Sequence, residues 1–261
     1  VDTGVDNEHF SLDDFSDDNN DNSNEPDDLE DPKWVGGCDS TGLGSSGCND
    51  EDPDDGDGHG THVAGIALGT GDSRRINQGY APGAYLVDVK VMTDAGATNS
   101  AATLRGIQWV VDNVDTDWGN NDSSEGIQVM SMSFGSASPG GDDDPGDNGT
   151  NADARAVDAA AEAGIVPVAA IGNDGKRRVT SVGASDSAIT VGAIDDENTI
   201  ERGDDMIASY SNSGPREDDG DDNEWEELKP TVVAPGSNIM SAQHAASSST
   251  LPGAPKPLAE D

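Results

Sequence analysis

The sequence predicts an α/β fold built on a mostly parallel, buried sheet with helices on both faces. Two observations lead to this prediction. Short, almost wholly apolar runs recur along the chain, and strands of a parallel sheet covered on both faces have that composition. Amphipathic stretches of helical length separate the runs, and short links between strand, helix and strand favour right-handed crossovers, which place helices on the sheet's two faces.

Five apolar runs are predicted to form the strands of this sheet. Several of them lack a polar alternation, which argues against a solvent-exposed face. The third contains Pro167, which a strand tolerates near its first residue but not at its centre. The predicted strands are YLVDVKVM (85–92), IQVMSMSF (127–134), IVPVAAIG (165–172), AITVGAI (188–194) and PTVVAP (230–235).

Two stretches between these runs carry helix signals. Thr150 and Asp153 have the spacing of a capping box, and Gly164 stands where a glycine would end the helix that they begin. In residues 98–113, three apolar residues fall on one helical face, which would pack against the sheet. These three residues are Leu104, Ile107 and Val111.

The acidic excess of the chain limits its partners and indicates the salt concentration to which it is adapted. Asp and Glu number 53 against 13 Lys and Arg, which gives a formal net charge of −40. A polyanion repels nucleic acid and anionic lipid, and it repels itself at low salt, where the Debye length is roughly 30 Å at 0.01 M. We therefore expect a protein adapted to molar salt, with neither nucleic acid nor membrane among its partners.

Much of the acidity lies in loops that interrupt the apolar pattern. We expect a single domain over residues 1–261, with solvated acidic insertions at about 6–58, 140–149 and 216–227. Within the first insertion, residues 6–32 fit either a disordered segment or an ordered halophilic surface, and both interpretations stay open. A signal-peptide pattern and an apolar run of membrane-spanning length are both absent from this sequence.

The two cysteines, Cys38 and Cys48, lie in the stretch GGCDSTGLGSSGC. Their spacing matches no zinc site. A glycine- and serine-rich loop of this length can bring its ends within disulfide distance, and its composition predicts exposed surroundings. A disulfide is therefore favoured, with two free thiols as the alternative. A disulfide would in turn favour an exported protein.

The segment GDGHGTHVAG places His59 and His62 at the start of an apolar helix that Gly69 would end. The zincin pattern needs two histidines four residues apart with a glutamate between them, so a metal site is disfavoured here. A histidine that acts as a general base needs a carboxylate to fix its tautomer and a hydroxyl or thiol to deprotonate. Asp2, in VDTG at the end of a predicted strand, is a candidate for that carboxylate.

Together these motifs resemble the subtilisin-like serine proteases, or subtilases, and in particular a halolysin-like haloarchaeal member. Asp2-Thr3-Gly4 matches the family's Asp-Thr/Ser-Gly segment, and HGTHVAG at 59–65 matches its histidine motif without a change. AAIGNDG at 169–175 is similar to the family's Ala-Ala-Gly-Asn segment, with Ile171 where alanine is usual. APGAYLVDVKVM, ASYSNSGPR and KPTVVAPGSNI resemble three further segments of the family. All of these segments occur in the family's order over nearly the whole chain.

The resemblance implies a subtilisin-like three-layer fold and a serine-type endopeptidase with an Asp-His-Ser triad. Asp2 would orient His59, the general base, Asn173 would donate to the oxyanion, and His62 would have a structural role. Catalysis would require no cofactor, whereas structural calcium is possible, with ligands that the sequence does not identify. The residues implied to bind the peptide are Gly96, Ala97, Thr98, Ser133, Phe134, Gly135, Ala169, Ala170 and Gly172.

The resemblance also implies a nucleophile in a Gly-Thr-Ser-Met-Ala segment, which this sequence does not contain. Ser247, Ser248 and Ser249 lack the flanking Gly-Thr and the apolar helix that would hold a nucleophile. We therefore expect an incomplete domain, cut at both ends and inactive alone, from a secreted protease of peptide or protein substrates. Its signal, its nucleophile and a possible propeptide would lie outside this chain. The alternative is a non-catalytic subtilase-like module that binds peptide or calcium.

Overall fold

The computed structural model describes residues 1–12, 33–42, 48, 50–71, 76–118, 126–136 and 146–244. The chain divides into two compact units, the first made of Val1–Trp109, Asp115–Ile127 and Met240–Asp261, the second of Val110–Val114 and Gln128–Ile239. Four of the five strand pairs in the described residues are parallel, so the predicted α/β class is confirmed. No helix in these residues is long and apolar enough to span a membrane.

The first unit contains a parallel pair of strands, β1 (Trp34–Asp39) and β2 (Leu86–Lys90). Asp2 forms an isolated parallel bridge with Lys90, which places it at the carboxyl end of β2. Helix α1 (His59–Leu68) begins and ends where the sequence predicted, and it follows a short 3-10 helix, Phe10–Leu12, in the chain. One cluster of the unit's apolar core contains Val5, Leu12, Ala64 and Leu86.

Strand β1 lies inside the stretch 6–58, which was expected to be a solvated insertion. The sequence did not predict this strand, because two glycines interrupt it and acidic residues surround it, although Trp34 and Val35 favour extended backbone. Cys38 is fully buried in this strand, whereas exposed surroundings were predicted. It forms a disulfide with Cys48, with the two Cα atoms 5.3 Å apart. The bond therefore ties β1 to the segment that leads into α1.

The second unit is organised around a five-stranded sheet. Strands β3, β4 and β5 are neighbours in that order and parallel, β7 pairs with β5 in parallel, and β6 pairs with β5 in the antiparallel sense. Helix α3 (Ala152–Glu162) packs against β4. The strands are β3 (Val129–Met132), β4 (Val166–Ala170), β5 (Ile189–Asp195), β6 (Met206–Ile207) and β7 (Val232–Pro235).

The strands of the second unit are less uniformly buried than their composition suggested. Val129, Val166 and Ile189 are exposed, because each is the first residue of its strand and lies at the rim of the sheet. Met130 and Met132 of β3 are buried, whereas Val129 is exposed and Ser131 is half-buried, so burial alternates along the strand.

The boundaries of α3 correct one detail of the sequence prediction and confirm another. The N-cap of α3 is Asn151, whose Oδ1 accepts from Ala154 N at 2.9 Å, whereas Thr150 bonds Asn148 instead. The cap therefore lies one residue later than predicted, and it satisfies the N–H of Ala154 in the first turn instead of that of Asp153. Gly164 follows the C-cap with φ +100°, as predicted.

Helix α2 (Ser100–Asp112) confirms the helix predicted within 98–113. Ile107 is buried as expected, but Leu104 and Val111 are only half-buried. The buried stripe passes instead through Ala102, Thr103 and Val110. Small side chains thus form part of the face that larger apolar residues were expected to provide.

We expect the Cys38–Cys48 disulfide to stabilise the first unit. Replacing both cysteines by serine removes a constraint on the unfolded chain, and for a loop of this length the free energy of unfolding should fall by roughly 3 kcal/mol. Urea denaturation in concentrated KCl, followed by far-UV circular dichroism, measures the change. An unchanged denaturation midpoint would contradict the prediction.

Candidate active site

Asp2 and His59, which lie 57 residues apart in the sequence, meet in the first unit. His59 Nδ1 lies 2.6 Å from Asp2 Oδ1. The Asp2 side chain is 6% exposed and that of His59 31% exposed, so the carboxylate is interior while the imidazole reaches solvent. A carboxylate at Nδ1 keeps the proton on that nitrogen and leaves Nε2 able to accept one.

This pairing changes the acid-base properties of the imidazole. The hydrogen bond that His59 donates to Asp2 raises the pKa of His59 above its ordinary 6.5, against the opposing effect of burial, and the charges of Asp2, Asp57 and Asp55 add to the rise. A raised pKa means that the pair stabilises the fold fully below pH 6.5, and that this contribution is lost as the pH rises through the folded value. His59 is therefore a stronger base than a free histidine.

Asp2 is held at the end of β2 by its own backbone. Its N–H donates to Val89 O at 3.0 Å, and its carbonyl accepts from Val91 N at 2.8 Å. Thr3 N donates to Asp2 Oδ1 at 2.8 Å, which orients the carboxylate that faces His59. The carboxyl end of β2 therefore positions the Asp2 carboxylate, in agreement with the strand end that the VDTG segment predicted.

The start of α1, which carries His59, depends on a second aspartate that the sequence analysis treated as solvated. Asp55 is 1% exposed. Its carboxylate accepts from Gly58 N at 2.8 Å, from Thr61 N at 2.9 Å and Thr61 Oγ1 at 2.6 Å, and from Thr3 Oγ1 at 2.8 Å. Burial opposes its ionisation, but these hydrogen bonds prevail and lower the pKa of Asp55. It thus joins the Asp2 loop to the helix.

The close approach of these two segments requires a glycine. Gly60 N donates to Thr3 Oγ1 at 2.8 Å, and a Cβ atom at Gly60 would overlap the carbonyl oxygen of Gly4. The buried positions of α1 are all small: Gly60, Thr61, Ala64 and Gly65. The HGTHVAG motif is therefore partly a packing requirement that lets the helix carrying His59 lie against the Asp2 loop.

Lys90 also holds this arrangement. It is 6% exposed, and its Nζ donates to the carbonyls of Thr3 and Asp54 and pairs with Asp94 at 2.8 Å. The ammonium thus connects the loop after Asp2 to the segment before α1. Neither Lys90 nor Asp55 was singled out from the sequence, where each reads as an ordinary charged residue.

His62 takes no part in the pairing of Asp2 with His59. Its carbonyl accepts from Ser241 Oγ at 2.7 Å, and Gly65 contacts Ser241 and Ala242. In the described residues, neither His59 nor His62 belongs to a cluster with metal-ligand spacing. A structural role for the His62 side chain stays a prediction.

Asn173 lies in the second unit, exposed in the loop after β4. Asn212, which is 2% exposed, organises that loop: its Oδ1 accepts from Asp174 N at 2.9 Å and from Lys176 N at 3.1 Å, and its N–H donates to Gly172 O at 2.9 Å. The sequence analysis missed Asn212, although it lies in the ASYSNSGPR segment. An oxyanion role for Asn173 stays a prediction.

The residues implied to bind peptide lie in two places. Gly96 and Ala97 lie in a turn in which Thr93 N donates to Ala97 O at 2.9 Å, Thr98 follows it, and all three residues are exposed. In the second unit, the register pairs Met132 with Ala169, so the remaining six residues lie at or beyond one end of adjacent strands. They are Ser133, Phe134, Gly135, Ala169, Ala170 and Gly172.

One acidic group has the spacing of a metal site among the described residues, but it does not fit calcium. Ligand oxygens of Asp186, Asp219 and Glu226 lie within 4.8 Å of one another. The Arg216 guanidinium pairs with the three at 2.6, 3.5 and 3.4 Å, so it already supplies the positive charge. Arg216 is 2% exposed and its backbone N–H donates to Glu227 O at 3.0 Å, whereas residues 217, 218 and 220–225 between them are exposed. That the stretch 216–227 is a solvated insertion stays a prediction.

Comparison with known proteins gives consistent matches. The model of the subtilase family (Peptidase_S8) matches residues 1–259. Serine protease AprX of Bacillus subtilis (strain 168) is 37% identical over 193 residues, 73% of this chain and 40% of that protein. Subtilisin-like protease 1 of Trichophyton equinum is 32% identical over 211 residues, 80% of this chain and 33% of that protein. The chain thus spans less than half the length of these two relatives.

Among solved structures, the one titled Sphericase aligns with a TM-score of 0.68 at 27% identity, over 95% of this chain and 68% of that chain. A structure titled S41 Psychrophilic Protease aligns with a TM-score of 0.66 at the same 27% identity. These alignments support the α/β fold over almost the whole chain.

Replacing Asp2 by asparagine should lower the pKa of His59. The hydrogen bond to Asp2 is the largest cause of the rise, and without the Asp2 carboxylate only the charges of Asp57 and Asp55 would oppose the effect of burial. The pH titration of the His59 Cε1–H signal by NMR measures the shift. Asp57→Asn is the matched control, because Asp57 contributes only a weaker charge effect and should move the titration less. An Asp2→Asn titration that matches the wild type would contradict the pairing.

Asp55→Asn should destabilise the fold, because an amide cannot accept all the hydrogen bonds that the buried carboxylate receives. We expect a loss of about 3 kcal/mol at neutral pH in urea denaturation. Since the pKa of Asp55 is lowered, its contribution is present above pH 3.8, and the difference from wild type should shrink as the pH falls below that value. Asp54→Asn, an exposed neighbour, should cost little; an equal loss in both variants would refute the role of Asp55.

Proposed function

Because the chain belongs to the subtilase family, we propose that it forms part of a serine endopeptidase in which Asp2 orients His59 and His59 is the general base. The observation that supports this proposal is the 2.6 Å contact between His59 Nδ1 and the buried carboxylate of Asp2. A hydrogen-bonded acid and histidine, with Nε2 directed away from the acid, is the arrangement that activates a hydroxyl nucleophile.

In this proposal, His59 Nε2 takes the proton of a serine Oγ as that oxygen attacks the carbonyl carbon of the scissile peptide bond. Asp2 stabilises the imidazolium that forms, and the Asn173 amide donates to the oxyanion of the tetrahedral intermediate. The C–N bond then breaks as His59 returns the proton to the leaving amine. Water hydrolyses the acyl-enzyme through the same base and releases the second product.

The serine has to be found by experiment. Within the described residues, His59 Nε2 has no hydrogen-bond partner, and Ser247, Ser248 and Ser249 lie outside them. The exposed residues 96–98 and the residues 133–135 after β3 are proposed to pair with an extended peptide, which would give affinity for protein backbone in general.

We further propose a salt-adapted, secreted enzyme. Five of the ten basic residues in the described part of the chain are buried, so its surface is more acidic than the composition alone implies. Concentrated salt screens such a surface. The Cys38–Cys48 disulfide supports export, because disulfides persist in oxidising compartments. The five buried basic residues are Lys33, Lys90, Arg178, Arg216 and Lys229.

A fluorophosphonate probe tests the proposal, because it reacts with a serine only when an adjacent base activates the hydroxyl. We expect the full-length natural protein in concentrated KCl to be labelled on one serine, which peptide mass spectrometry would locate, and to hydrolyse a chromogenic peptide. His59→Ala should abolish both. Asn173→Ala should keep the labelling but lower kcat by about 10²–10³, the loss known from subtilisin, a member of the same family.

His62→Gln is the control, since the proposal assigns the general base to His59 and not to His62. It should retain the labelling if it folds, as circular dichroism would show. Labelling that survives in His59→Ala would refute the role of His59. A folded wild-type protein that is neither labelled nor active would refute the enzyme and favour a module that binds peptide without cutting it.

A further inference from the structure

In a tight loop of the second unit, residues 184–188, three backbone carbonyls face buried Lys and Arg side chains. Asp158 of α3 fixes the loop: its Oδ1 accepts from Ser185 Oγ at 2.5 Å and from Ser187 N at 3.0 Å. Ser185 Oγ in turn accepts from Ala188 N at 3.2 Å. The carbonyls of Ala184, Ser185 and Ala188 then all accept hydrogen bonds from cationic side chains.

Lys229 binds two of these carbonyls. Its Nζ lies 2.8 Å from Ser185 O and 3.1 Å from Ala188 O, and the residue is 7% exposed. An ammonium with two backbone carbonyls at these distances is bound in the way that carbonyl cages bind small cations. Burial and the nearby Arg216 charge lower the pKa of Lys229 to about 8, so the side chain is still charged at neutral pH.

Arg216 binds further oxygens next to those that Lys229 binds, and we call the oxygens that contact these two cations the oxygen cluster. Its Nη1 donates to Ala184 O and pairs with Asp186 Oδ1 at 2.6 Å, and its Nη2 faces Asp219 and Glu226. Gly149 makes room for it, since a Cβ there would overlap Arg216 Nη1. The guanidinium therefore occupies the space between the three carboxylates.

Three carbonyls and three carboxylates form a donor set that suits a hard metal cation. Here, however, the Lys229 ammonium and the Arg216 guanidinium already bind these carbonyls, and the guanidinium also pairs with the carboxylates. We propose that Arg216 and Lys229 together replace a structural cation in this cluster, so that loop 184–188 folds without bound metal. Calcium is therefore not a constituent of this site, and removing the Lys229 charge would convert its carbonyls into a site for an added cation.

The experiment replaces Lys229 by methionine, which keeps the length of the side chain but loses its charge and its donors. Thermal unfolding is followed at pH 7 in choline chloride and in KCl at equal concentration, each with and without millimolar CaCl₂. Choline is too large for a carbonyl cage sized for an ammonium group. In choline chloride, we expect Lys229→Met to unfold roughly 10 °C below wild type, because buried oxygens lose their positive partner.

Added K⁺ or Ca²⁺ should then restore at least half of that loss, and the effect should saturate with concentration, as binding to one site requires. The wild type measures any effect of these cations elsewhere in the molecule, so the comparison uses the difference between the two proteins. Lys229→Arg, which keeps a cation, should gain no such response. Lys176→Met, which removes a half-buried lysine of the same unit, controls for the change in net charge.

If Lys229→Met does not fold, Lys229→Gln tests the same inference, because its amide can still donate to one carbonyl while carrying no charge. The inference is overturned if neither neutral variant responds to K⁺ or Ca²⁺ more than the wild type does. It is also overturned if Lys229→Arg or Lys176→Met gains an equal response. None of these outcomes depends on proteolytic activity, so they are independent of the proposed function.

Discussion

The burial of the Asp2 carboxylate is the constraint on which the first unit depends. A buried charge is costly unless hydrogen bonds and an opposite charge accompany it. His59 supplies one partner and Thr3 N another, while in the described residues Asp2 Oδ2 has none. The start of helix α1, which carries His59, must therefore lie at a fixed distance from the end of β2, where Asp2 is held. Small residues on α1 and the buried carboxylate of Asp55 meet that requirement.

Positive charge in this chain is used mainly to fix backbone. Lys33 Nζ binds the carbonyls of Pro82 and Ala84, and Arg105 binds those of Ser40 and Gly42. Lys90, Arg216 and Lys229 act in the same way at other loops. With so few basic residues against so many acidic ones, surface ion pairs would contribute little, whereas a buried cation that joins several carbonyls orders a loop.

The sequence was informative where a local pattern determines a local structure. The helix start at His59, the glycine that ends α3 and the cores of the predicted strands all follow from such patterns. Strand β1 was missed because its glycines and acidic surroundings hide a short extended run. Asp55, Lys90 and Asn212 were missed for a different reason: each acts through partners distant in sequence, and its residue type is common on protein surfaces.

The burial of the basic residues also affects how other proteases can attack this chain. Proteases that cut after lysine or arginine need those side chains to be accessible on mobile backbone. In the part of the chain that the structure describes, Arg155, Arg177 and Arg202 are the exposed basic residues, and Arg155 lies within α3. Cleavage after a buried residue such as Lys90 or Arg216 would therefore report unfolding of the unit around it. A trypsin digest thus measures the stability of each unit separately.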